Sequence, residues 1–119
     1  MTAAKLKSPL IIEQGADFKK TFIWKAGDPP APVDLTSFVA RMHIRETIES
    51  TNILVTLTTE NGGIVLGGTT GTIDLVIPAT DTTAMTWKKG VFDLEMVGST
   101  GLITRLIQGD ATLSPEVTR

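Results

Sequence analysis

The chain lacks cysteine and tyrosine, has one histidine, and is only 5% aromatic over its 119 residues. Without cysteine it has neither a disulfide nor a thiolate nucleophile. One histidine and no cysteine also exclude the closed His/Cys ligand set of a structural zinc site. The net charge of -2 and a pI near 5.3 argue against nucleic acid, whose binders normally show a basic face. Lys19-Lys20 and Lys88-Lys89 are isolated pairs, the pattern of solvated charge. No apolar run approaches the roughly 18 residues of a membrane span. The stretch from Met1 to Lys7 lacks the apolar core of a secretory signal, so synthesis and retention in the cytoplasm are expected. The expectation is therefore no cofactor, no metal, no nucleic acid and no membrane.

What remains is a composition rich in Thr, Val, Ile and Gly, and β-branched residues suit pleated strands better than helices. Period-two alternation is clear in four places. Phe18, Phe22 and Trp24 share one strand face; Ala40, Met42 and Ile44 share a second, opposite Arg41, His43 and Arg45. Ile73, Leu75 and Ile77 alternate with Thr72, Asp74 and Val76, and Phe92, Leu94 and Met96 with Asp93 and Glu95. Shorter candidates are Leu10–Glu13, Ile53–Leu57, Gly63–Leu66, Leu102–Gln108 and Ala111–Leu113. Turn chemistry separates them. The Pro-rich stretch from Gly27 to Pro32 cannot continue a strand. Asn61-Gly62-Gly63 reads as a type I′ hairpin. Gly67-Gly68 with Gly71, and Gly98 to Gly101, read as further tight connections. Pro78 to Met85 suits one helical turn, capped by Thr80 or Asp81. The expected fold is one all-β domain over 1–119, an antiparallel β-sandwich of immunoglobulin-like architecture with about eight or nine short strands. The polar stretches 1–8 and 115–119 are expected as flexible arms.

Few residues suggest chemistry. His43 stands between Arg41 and Arg45 without a nucleophile motif such as Gly-x-Ser-x-Gly, so it reads as a surface imidazole in a basic strip suited to an acidic partner surface. Asp93 and Glu95 share a strand face about 7 Å apart, a spacing a glycosidase uses, yet any solvated strand face carries charges this way. A calcium loop around Asp28 or Asp81 lacks the dense Asp-x-Asp pattern. The glycines precede no Lys-Ser/Thr helix start and therefore read as turns, not a phosphate cradle. Trp24 and Trp87 suit a glycan-stacking site only if exposed, and without tyrosine both read as core or partly buried anchors.

Three stretches carry a family resemblance. They are Ile12-Glu-Gln-Gly-Ala-Asp-Phe18 leading to Trp24, and Pro32-Val-Asp-Leu-Thr36 followed by Ala40-Arg-Met-His-Ile-Arg45. The third runs from Gly90-Val-Phe-Asp-Leu-Glu95 through Arg105-Leu-Ile-Gln-Gly109 to Leu113-Ser-Pro-Glu-Val-Thr-Arg119. In this order they resemble small tail-associated proteins of tailed bacteriophages and prophages, and the N-terminal domains of baseplate upper proteins. Ser37 stands where such proteins often have Gly. The resemblance implies a non-catalytic virion component, made in the host bacterial cytoplasm. It would be multi-copy or homo-oligomeric, docking to tail, baseplate, portal-proximal or fibre proteins. Expected contact residues are Arg41, His43, Arg45, Lys5, Lys7, Glu116 and Arg119, with edge-strand pairing between copies as a further mode. The alternatives are a carbohydrate-binding module contacting host glycans and a capsid decoration protein.

Overall fold

A computed structural model describes residues 4–118. It is 50% strand and 7% helix, so the fold is all-β. Eleven strands are present among the described residues: β1 (Ala4–Lys5), β2 (Leu10–Glu13), β3 (Phe18–Ile23), β4 (Lys25–Ala26), β5 (Ala31–Pro32), β6 (Val39–Arg45), β7 (Val55–Thr58), β8 (Ile64–Leu66), β9 (Thr72–Ile77), β10 (Lys89–Val97) and β11 (Ile103–Ser114). One short helix, α1 (Ala79–Thr83), precedes β10. A six-stranded sheet runs β1–β11–β10–β6–β7, with β2 also paired to β11; a three-stranded sheet runs β3–β9–β8; β4 and β5 form a small hairpin.

Alternation places the residues as expected. Ala40, Met42 and Ile44, Ile73, Leu75 and Ile77, and Phe92, Leu94 and Met96 are all buried. They meet in one apolar cluster to which both larger sheets contribute, joined by Leu10, Ile12, Leu57 and Ile64. Each Leu, Ile, Met or Phe side chain among them contributes about 1.5–3 kcal/mol on full burial. Leu35 is sealed in from the loop before β6, where its N–H donates to the Gly68 carbonyl.

Several expectations are corrected. The large sheet is mixed, because β1 and β2 both run parallel to β11. The twelve residues of β11 are long enough to hold both short strands end to end. Pro9, which has no N–H to donate, lies in the break between them. The two candidates Leu102–Gln108 and Ala111–Leu113 are thus one strand, since Gly109 continues the ladder opposite Phe92. The site is tight: a Cβ at Gly109 would lie 3.0 Å from the Leu6 side chain and 3.3 Å from the Phe92 ring. Of the expected arm 1–8, Ala4–Lys5 is strand and the Leu6 N–H donates to the Gln108 carbonyl. Asn61-Gly62 is not a type I′ hairpin, because only Gly62 has positive φ and β7 and β8 lie in different sheets. The Pro-rich stretch turns as expected, yet Ala31 and Pro32 still pair with β4.

The quoted motifs are joints. Gln14 donates through Nε2 to the Met85 carbonyl at 2.9 Å and accepts the Glu116 N–H at 2.9 Å. The Gly15 N–H donates to the Thr82 hydroxyl at 3.1 Å, and that hydroxyl donates to the Ala16 carbonyl at 2.8 Å. Neither Thr80 nor Asp81 caps α1. Asp17 accepts the Ala79 N–H at 2.7 Å from across the structure, and Pro78 holds the N-cap position. In the second motif Asp34 accepts both the Thr36 N–H, at 3.0 Å, and the Thr36 hydroxyl. Those two bonds, the hydroxyl's first, hold the Asp34 carboxyl below its ordinary value of 3.8.

Thr82 is fully buried and its hydroxyl serves both Gly15 and Ala16. Thr82→Val keeps its shape and leaves those backbone groups unpaired, so denaturant unfolding is expected to show a loss of about 1–3 kcal/mol. A variant as stable as wild type removes Thr82 as the joint. The Asp34 bonds act in the opposite pH sense to a histidine contact: a lowered folded pKa means they stabilise above 3.8 and fade as pH falls below it. A carboxyl-carbon NMR titration is expected to give Asp34 a midpoint under 3.8, and Thr36→Ala, which keeps the backbone N–H, to raise it part of the way back.

Candidate functional site

The inward face of the six-stranded sheet is spent on the core, and its outward face carries the charges the alternation predicts. β6 presents Val39, Arg41, His43 and Arg45, and β10 presents Val97, Glu95, Asp93 and Val91 directly opposite them. On the other side of β10, β11 presents Ile103, Arg105, Gln108 and Asp110.

Arg105 and Gln108 are three residues apart, and an unbroken strand would send them to opposite faces. A register shift prevents this: Glu95 pairs with Arg105 and Leu94 with Ile107, leaving Leu106 as the extra residue of a β-bulge. Leu106 is buried and Ile107 packs on the same core. The bulge therefore returns Arg105 to the outer face, where its Nε lies 3.3 Å from Asp93.

Cross-strand rows result. The first is apolar, Val39–Val97–Ile103; the second is Arg41–Glu95–Arg105, with Arg41 Nε donating to Glu95 Oε1 at 2.8 Å. The third is His43–Asp93–Gln108, extended to Lys5 by β1. The fourth is Arg45–Val91–Asp110, in which Arg45 also donates to the Ser50 carbonyl at 2.8 Å. The second, third and fourth rows line a shallow groove of about 490 Å3; the apolar row lies outside it. The two ion pairs are half open to solvent, where such pairs contribute about 0–1 kcal/mol. The face is therefore not what holds the fold together.

Of the expected contact residues, Lys5, Arg41, His43 and Arg45 come together in this groove. Lys7 is exposed but does not line it, Glu116 sits at the Gln14 joint away from it, and Arg119 lies outside the described residues. The strip is not simply basic: Glu95 and Asp93 pair with Arg41 and Arg105, so the face carries both signs. Sequence reasoning missed Arg105, Gln108, Asp110 and the apolar row. Alternation in β10 signals half of it; the bulge has no signal.

Edges and tryptophans bear on the other readings. The Asn61 side chain caps the outer edge of β7, accepting the Thr58 N–H at 2.9 Å and donating to the Thr56 carbonyl at 3.0 Å. It occupies the place a neighbouring strand would take. Trp24 and Trp87 are half-buried against the core, Trp24 meeting the Phe38 ring edge-on at 5.6 Å. Neither is the exposed platform a glycan site requires.

Among the described residues no helix is long and apolar enough to cross a membrane. No protein-family model matches the chain, and a search of curated proteins finds no match.

Proposed function

We propose that the chain is a structural protein of a tailed-bacteriophage virion, a tail-region adaptor or decoration domain that docks to neighbouring virion proteins without catalysing a reaction. In this reading the two larger sheets form an immunoglobulin-like β-sandwich around the shared core. It is made in the host bacterial cytoplasm and carried in the particle. The observation that supports it best is the division of labour between motifs and face. The residues that carry the family resemblance, Gln14, Gly15, Asp17, Asp34 and Thr36, are occupied in joints between elements. The joints leave the outward face of the six-stranded sheet uncovered, with charges whose removal would cost the fold little. The carboxylates that a hydrolase reading would use, Asp93 and Glu95, are each held by an arginine in those rows.

Purified particles from a lysate that expresses the chain, examined by mass spectrometry and cryo-microscopy, are expected to contain it in stoichiometric amount at the tail. Particles that lack it contradict the proposal. Density on the head would move it to the capsid-decoration alternative.

A further inference from the structure

We infer that the outward face of the six-stranded sheet is a two-fold interface between two copies of this chain. The inference rests on the assembly reading for its biological meaning, and on the face itself for its physics. Three observations carry it.

The first is size. Five strand positions about 4.8 Å apart, along the length of β10, make a face of about 600 Å2 before side-chain relief. A standard stable interface uses about 800 Å2 per partner.

The second is composition. In the apolar row Val39–Val97–Ile103, Val39 is 42% and Ile103 52% exposed. Burying such a strip is what association gains from. The edge of β7, by contrast, is closed by Asn61, which disfavours strand addition there.

The third is charge, and it selects the occupant. Lys5, Arg41, Arg45 and Arg105 stand with Asp93, Glu95 and Asp110 on the same face. A strongly acidic or basic partner would leave one sign unanswered. An identical copy brings both. Arg41 and Arg105 already have Glu95 and Asp93, and Arg45 donates to the Ser50 carbonyl, whereas Lys5 and Asp110 form no ion pair among the described residues. In a two-fold contact residue i meets j while j meets i. Lys5 of each copy then pairs with Asp110 of the other.

Sedimentation of the full chain tests this. At about 100 µM, well above a micromolar dissociation constant, wild type is expected to be a dimer. Lys5→Glu and Asp110→Lys should each weaken it by roughly tenfold or more, because the same sign then meets across the axis twice. A one-to-one mixture of the two variants should restore dimers, since the reversed sites answer each other. Val97→Arg should give a monomer with an unchanged thermal melt. A wild-type monomer at that concentration overturns the inference, as does a dimer that survives both charge reversals and Val97→Arg. A monomer found stoichiometrically in virions would overturn this inference and leave the proposed function standing; a dimer absent from virions would do the reverse.

Discussion

The structure depends on β11. This one strand of twelve residues pairs with β10 along one side and holds β1 and β2 in succession along the other. The N-terminal segment, the central strands and the C-terminus are therefore fixed to one backbone. Two local features make it possible. Gly109 leaves room for Leu6 and Phe92, which an added Cβ would crowd, and the bulge at Leu106 adds the one residue that resets the alternation. Without the reset, Arg105 would leave the outer face and an inward-facing position would take its place. Core and surface are thus set by the same extra residue.

The joints are separate from the charged rows, and none of their residues lines the groove. Gln14, Gly15 and Asp17 lie in the turn between β2 and β3, which belong to different sheets, and all three engage α1 or the residues beside it. The turn and the helix thereby fix how the chain leaves one sheet for the other. Asp34 and Thr36 form a local corner that delivers Leu35 into the core. The joints rely on hydrogen bonds to the Asp17 and Asp34 carboxylates and through the buried Thr82 hydroxyl in place of a larger apolar surface.

Much of this was legible in the sequence wherever a strand was long enough to show its period. The buried triplets of β6, β9 and β10 follow directly from alternation, and the same reasoning puts Arg41, His43 and Arg45 on one outward line. The strands β1, β4 and β5 are two residues each and carry no period to read. The gap at Gly109-Asp110 divides β11 into two candidates by sequence, although Gly109 stays in the ladder beside Leu6, far away in sequence. Asn61-Gly62 likewise imitates a hairpin, while the asparagine serves as an edge plug. The cap on α1 comes from Asp17, 62 residues from the Ala79 N–H it accepts, and no local rule points there. The candidate face was half legible: the residues of each strand were, and their neighbours across the sheet were not.

In the proposed function this face, and not the outer surface of the smaller sheet, is where the protein meets its assembly. The absence of native cysteine makes it directly measurable, because a single introduced thiol is then the only site for maleimide. Ile103→Cys places that thiol in the apolar row, and Lys19→Cys places it on exposed β3. The account predicts that both label fast in the dilute isolated chain, and that only the thiol at 103 becomes protected in the assembled particle. Protection at 19 with free labelling at 103 would contradict it.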